Sequence, residues 1–391
     1  MGAITDTQPK CMTEISSDNT ILSRQLKNLV SFDIDEVVMT TGYYNSVLEE
    51  YCEGLHLPIK FTFVNNPLYD KTNYIYSIYC AREHLKDDDI ILLHGDVVFE
   101  PLVLEAILES KHSCMAVSST QPLPEKDFKA VIEKGRISKV GVNFFENAMA
   151  AQPLYKIKHE DWLIWLENIE RFCNEGRRNC YAEDAFNEVS DRCKIYPVDI
   201  KEMLCAEIDT PQDLKTVSAR VKEVNKRRVY MCCSTDFIHS GHIAIIRKAC
   251  RLGRLTIGVL SDEAVASYKR FPLIPFDERK RLFENIAGVD KVVEQQKLSY
   301  TDILRTLKPD YVVHGDDWVS GFQKPIREEV ITVLDEYGGR LVEYPYSNNP
   351  KYKQMDALQR AELAMPDLRR GRLRKLIDMK GLITAIEAHS G

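Results

Sequence analysis

The sequence predicts the α/β fold class, with two Rossmann-like parallel-sheet domains followed by a helical tail. Three observations lead there. Short apolar, β-prone runs alternate with stretches of helical periodicity along most of the chain, the alternation that builds parallel sheets covered by helices. A length of 391 residues exceeds what a single hydrophobic core supports and gives a prior of about two domains plus an extension. The stretch VYMCCSTDFIHSGHIAIIRKACRL, Val229 to Leu252, passes from an apolar run through a polar turn into an amphipathic helix. Composition agrees with a globular enzyme, at 44% hydrophobic and 28% charged residues. The net charge of −7 speaks against a nucleic-acid partner. No apolar run approaches the roughly 20 residues of a membrane span, and no charged-then-apolar leader opens the chain. A cytoplasmic location without a membrane partner is therefore expected. The 11 cysteines are scattered and odd in number, which predicts reduced thiols rather than disulfides or zinc ligands.

In chain order, residues 1–15, MGAITDTQPKCMTEI, begin without a strand of their own. The pattern then gives a helix over Ile21–Val30, a strand over Glu36–Thr40, a helix over Tyr44–Cys52 and a strand over Lys60–Val64, the βα repeats of a doubly wound sheet. Asp88–His94 reads as a strand ending in Gly95 and Asp96. That ending sets a carboxylate at the carboxyl edge of the sheet, where open α/β folds bind ligands. In CAEIDTPQDLKTV, Glu207 and Asp209 end a short strand and Thr210-Pro211 opens the last helix. Asp96 and Asp209 are thus candidate metal ligands, with a helix cap as the alternative for Asp209. This domain is expected to span residues 1–218.

Residues 219–227 continue a helix into a basic junction, read as the linker. A second domain, 228–346, follows with a strand over Val229–Cys233, a helix over Ile243–Leu252, a strand over Leu255–Leu260, a helix over Phe276–Ile286, and strands over Lys291–Glu294 and Tyr311–His314. The tail, 347–391, is highly charged and helical in pattern, which on its own suggests a surface helix or coiled-coil arm.

Chemistry concentrates in the turn after Val229–Cys233. His239, Ser240, Gly241 and His242 stand there. The glycine permits close backbone approach to a ligand, and the helix N-terminus offers N–H groups to an anion. Two imidazoles beside an anion site suggest phosphate chemistry. HSGH between a strand and a helix resembles the HxGH signature of the nucleotidylyltransferase superfamily, specifically its cytidylyltransferases. Matching pieces follow in the same order: Lys269-Arg270, DERKRLFENIAGVDKVV from Asp277 to Val293, and PDYVVHGDDW from Pro309 to Trp318. The chain departs from the family at Cys233, where glycine is usual, and near Ser347, where YPYSNNPKYKQ replaces an arginine, glycine and hydroxyl cluster. The resemblance implies that an acceptor oxygen attacks the α-phosphorus of CTP and pyrophosphate leaves. It implies catalytic roles for His239, His242, Lys269 and Arg279, the last as a bidentate fork on phosphate. Asp236, Gly241, Gly315, Asp316, Asp317 and Trp318 would contact the nucleotide, with Trp318 as a stacking ring.

The first domain carries looser resemblances. TDTQPKCMTEI is similar to the second half of the opening motif of sugar-phosphate and phosphocholine nucleotidyltransferases, a GT-A-like fold. Only Pro9 and Lys10 match it, so either the natural start lies upstream or the nucleotide cradle has been lost. Lys10 is the nucleotide-binding candidate there, and NNPLYDKTNYIYSIY, residues 65–79, resembles the asparagine-rich segment of the phosphocholine enzymes. The same resemblance implies Mg²⁺ between Asp96, Asp209 and the triphosphate. RLRKLIDMKGLITAIEAHSG, residues 372–391, resembles the opening of phosphoenolpyruvate mutases. It implies that the natural polypeptide continues into that barrel, and with it a phosphonate acceptor: 2-hydroxyethylphosphonate or 2-aminoethylphosphonate. Glycerol 3-phosphate or phosphocholine is the alternative acceptor, and a non-catalytic scaffold for a mutase is the alternative role. A homo-oligomer is compatible with all of these.

Overall fold

The computed structural model describes residues 8–234, 238–268 and 272–345, with Phe322 described by its backbone alone. Asp236, Lys269, Ser347 and the expected tail lie outside the described residues. The chain divides into two compact units, Met1–Val224 and a second beginning at Asn225, each taken by itself below.

In the first unit the expected strands over residues 36–40 and 60–64 form Glu36–Thr41 and Lys60–Asn65, paired in parallel with Glu36 opposite Lys60. The main sheet has six strands and is mixed. Ala148–Ile157 lies at its centre, antiparallel to Cys114–Ser118, to Ile90–Leu93 and to Lys129–Glu133. Lys129–Glu133 pairs in turn with Arg136–Gly141, and Tyr196–Asp199 adds a parallel edge beside Cys114–Ser118. These antiparallel strands interrupt the expected βα pattern, and among the described residues parallel pairing in this unit is confined to Glu36–Thr41 with Lys60–Asn65 and Tyr196–Asp199 with Cys114–Ser118. Trp162, Trp165, Phe172 and Phe186 pack one face of the sheet, and Leu22, Leu26, Leu104 and Phe99 belong to a second core.

Two local devices position the carboxyl edge. The short antiparallel pair Val97–Phe99 and Cys205–Glu207 sets Glu207 opposite Val97, and the Ile208 N–H donates to the Asp96 carbonyl at 3.1 Å. The residues around 96 and 208 are therefore neighbours despite their distance in sequence. The helix Ile21–Ser31, capped reciprocally by Thr20 and Ser23, turns two buried amides on the same segment. Gln25 donates to the carbonyls of His94 and Val97 at 2.9 and 2.7 Å, and Asn28 to that of Phe99 at 3.0 Å.

The second unit is a five-stranded, wholly parallel sheet. Its spatial order is Val289–Gln295, Arg254–Leu260, Arg228–Cys233, Tyr311–Gly315, Arg340–Tyr344. Helices Ser240–Leu252, Phe276–Glu284, Thr301–Leu307 and Lys324–Asp335 join the strands. The strand order reverses between Arg228–Cys233 and Tyr311–Gly315, the switch point at which sheets of this kind open a ligand crevice. Both expected motifs leave the sheet there. Residues 219–226, read as a continuing helix, lie in helix Pro211–Lys226, and the strand Arg228–Cys233 follows. Among the described residues no helix is long and apolar enough to cross a membrane.

Candidate active site

At the switch point, His239 is the N-cap of helix Ser240–Leu252 in an extended conformation. Its Nδ1 accepts the Gly241 N–H at 3.1 Å, and the Nδ1 of His242 accepts the His239 N–H at 3.4 Å. The two side chains thus form a reciprocal capping box, with ring centroids 3.9 Å apart. A neutral imidazole that accepts at Nδ1 carries its proton at Nε2. The helix start therefore holds two imidazole donors side by side and fixes their tautomers.

Across the switch point, Gly315 is buried, and Asp316 and Asp317 are exposed in the turn Asp316–Trp318. Trp318 does not stand open to a base. It is 1% exposed, lies flat against the His314 ring at 3.7 Å and 8°, and donates its Nε1–H to Glu343 at 2.6 Å. Arg327 grips the same carboxylate with two bonds of 2.8 and 2.7 Å. The expected stacking ring is corrected to a platform under His314. Trp318→Phe should accordingly lower stability by about 1.5–3 kcal/mol through loss of one hydrogen bond to a charged group, the Glu343 oxygen keeping its bond from Arg327, and leave CTP affinity unchanged. Loss of CTP affinity at an unaltered melting temperature would restore the stacking role.

Arg279 also departs from expectation. Its helix, Phe276–Glu284, turns Arg279 and Phe283 to the core. The guanidinium is fully buried, donates from Nη2 to Asp262 at 2.6 Å and from Nε to the Ile274 carbonyl at 3.0 Å, and leaves Nη1 without a hydrogen-bond partner. An exposed phosphate fork is thus replaced by an enclosed ion pair. Asp262, which sequence reasoning missed, follows the strand Arg254–Leu260 and the N-cap Ser261. The signal was present in LSDE, a carboxylate just past a parallel strand.

In the first unit, Asp96 and Asp209 do converge, but on the ammonium of Lys10. Lys10 Nζ lies 2.7 Å from Asp96 Oδ2 and also hydrogen-bonds Asp209. Burial pushes the ammonium down, yet the two carboxylates outweigh it and hold the Lys10 pKa above its ordinary value. Asp209 is no helix cap: Thr210 and Asp213 cap the last helix between them, at 2.7 and 3.2 Å. Among the described residues a further group could hold a metal. His94, Asp96 and Glu207 each offer an atom within 4.8 Å of the others, and His94 Nδ1 lies 3.6 Å from Glu207. Burial pushes the Glu207 carboxyl up, Asp96 adds to that, and His94 opposes it. His94 itself is pushed down by burial and raised further by Glu207, Glu183 and Asp96, for a net rise. His94 and Glu207 also escaped the sequence reading, because their meeting depends on the pairing of residues 97 and 207.

Residues 230–349 match a family described as cytidylyltransferase-like, and residues 6–133 match one described as a domain of unknown function (DUF6564). Among characterised proteins, the CMP-5'-(3-aminopropyl)phosphonate synthase of Streptomyces rubellomurinus is 26% identical over 258 residues, 62% of this chain and 39% of that protein. The ethanolamine-phosphate cytidylyltransferase of Arabidopsis thaliana is 36% identical over 96 residues, 23% of each chain. This chain therefore spans well under half the length of either relative. Among solved structures, an inositol-1-phosphate CTP transferase from T. maritima aligns with 56% of this chain and 90% of its own, at TM-score 0.46 and 19% identity. The stretch that matches the cytidylyltransferase-like family, residues 230–349, is thus the one that carries the HSGH capping box at the switch point of a five-stranded parallel sheet.

Proposed function

We propose that the second domain transfers CMP from CTP to a small aminoalkyl phosphonate, with 2-aminoethylphosphonate as the preferred acceptor and 2-hydroxyethylphosphonate as the alternative. The observation that carries this reading is the locked imidazole pair, His239 and His242, at the N-terminus of a helix beside the switch point. An acceptor oxyanion attacks the α-phosphorus, a new P–O bond forms, and the bond to the β-phosphate oxygen breaks to release pyrophosphate. No protein nucleophile is needed. The acceptor is already an anion, so the domain's task is to align it and to stabilise charge on the equatorial and leaving oxygens. Two imidazole donors and the positive end of a 13-residue helix supply that stabilisation. Mg²⁺ accompanying CTP would neutralise part of the triphosphate charge. The choice of acceptor leans on the two relatives, whose names join an amine to a phosphonate or a phosphate.

The assay is pyrophosphate release by the full chain with CTP and, in turn, 2-aminoethylphosphonate, 2-hydroxyethylphosphonate, glycerol 3-phosphate and phosphocholine. Turnover should be fastest with the aminophosphonate. A faster rate with glycerol 3-phosphate or phosphocholine would reassign the acceptor. Absence of turnover together with absence of CTP binding at millimolar concentration would leave the scaffold role instead.

A further inference from the structure

We propose that the first domain binds a divalent transition-metal ion, of the Mn²⁺ class, on His94, Asp96 and Glu207. The site is separate from the transfer assigned to the second domain and does not depend on it. Three observations carry it.

The first is geometry. The pairing of Val97–Phe99 with Cys205–Glu207 brings Glu207 beside the turn that bears His94 and Asp96. One atom of each then lies within 4.8 Å of the other two. A cation holding nitrogen and oxygen ligands at about 2.0–2.2 Å separates them by roughly 3–3.5 Å. Small side-chain rotations close that difference.

The second is unmet demand. His94 Nε2 and Asp96 Oδ1 are both buried without a hydrogen-bond partner, an expensive condition that an ion relieves at whichever of the two atoms it takes as ligand. Asp96 divides its carboxylate: Oδ2 holds Lys10, and Oδ1 has no such partner. Asp209, by contrast, is turned to Lys10. The ammonium thus takes the place that a metal shared by Asp96 and Asp209 would need, and Glu207 stands as the second carboxylate.

The third is rigidity and donor type. The His94 ring is held edge-on to Tyr74 at 4.6 Å and to Phe128 at 6.1 Å, while Gln25 clamps its backbone carbonyl. A ligand fixed in this way loses little freedom on binding. Mg²⁺ favours all-oxygen, largely hydrated shells, whereas an imidazole with two carboxylates suits Mn²⁺, Fe²⁺, Co²⁺ or Zn²⁺.

The test is titration of the nucleotide-free full chain with Mn²⁺, read by loss of the free-ion electron paramagnetic resonance signal and by ¹⁴N modulation in the spin echo. One ion should bind with a directly ligated nitrogen, at least tenfold more tightly than Mg²⁺ in competition. Glu207→Gln, nearly isosteric, should weaken it tenfold or more, and His94→Gln should also abolish the ¹⁴N modulation. Asp209→Asn should leave affinity within about threefold. The proposal is overturned if Asp209→Asn abolishes binding while Glu207→Gln spares it, if the nitrogen signal survives His94→Gln, or if the folded chain binds no Mn²⁺ at millimolar concentration. Should His94→Gln fail to fold, the wild-type nitrogen signal and Glu207→Gln decide the matter.

Discussion

Replacing either His239 or His242 by alanine is expected to lower kcat for pyrophosphate release by about 10²–10³, the usual consequence of deleting one donor that stabilises transition-state charge. The double variant should be little worse than either single one, because groups that act as a unit lose their joint effect once one is gone. Alanine at 239 also removes the helix cap, which costs about 0.5–2 kcal/mol of stability by itself. Asparagine separates the two effects. Its side-chain oxygen replaces the Nδ1 acceptor that receives the Gly241 N–H, while nothing replaces the Nε2 donor. His239→Asn should therefore melt like the wild type and remain as slow as His239→Ala. Recovery of rate along with stability would mean that His239 only holds the helix start. Unchanged kcat in both alanine variants would remove the chemistry from this turn altogether.

What could be read from the sequence divides along a physical line. Four strands of the second domain and its HSGH turn are local features, fixed by apolar runs, a glycine and a helical period within about 20 residues, whereas the edge strand Arg340–Tyr344 was not read from the sequence. Burial is a tertiary outcome, which residue type alone leaves open. Arg279 sits in DERKR among exposed charges, yet it faces the core and Asp262. Trp318 follows two exposed aspartates, yet Glu343 and His314 enclose it. In the first domain the antiparallel strands Ala148–Ile157 and Lys129–Glu133 interrupt the βα rhythm, and their pairing is non-local. The same applies to Glu207: its register opposite Val97 sets it beside His94 and Asp96, a meeting that no local pattern announces. Fold class was thus more legible than side-chain environment, because periodicity survives in one dimension and contact does not.

Gly258→Ala is expected to destabilise the second domain by about 3 kcal/mol, at the upper end for overpacking a core. Gly258 lies within the strand Arg254–Leu260, and a Cβ there would stand 1.8 Å from the hydroxyl oxygen of Tyr230 and 2.6 Å from its Cζ. The phenol cannot retreat cheaply. Tyr230 is fully buried on the neighbouring strand, its hydroxyl bonds Gln295 at the end of the strand beyond, and its ring meets Tyr300 edge-on at 6.1 Å. Burial pushes the hydroxyl well above its ordinary pKa, so it remains a neutral donor. Glycine is required because the tyrosine crosses over its strand to reach Gln295. Calorimetric melting should show the second domain's Tm falling by roughly 10 °C. Tyr230→Phe alone should cost about 1–3 kcal/mol by leaving the Gln295 oxygen unpaired, and it cannot rescue Gly258→Ala, since Cζ still blocks the methyl. Tyr230→Val clears the space, so Gly258→Ala combined with it should be less destabilised than the sum of the two single variants, as contacting residues require. Additive losses, or a Gly258→Ala protein that melts like the wild type, would show that the ring does not lie across this glycine.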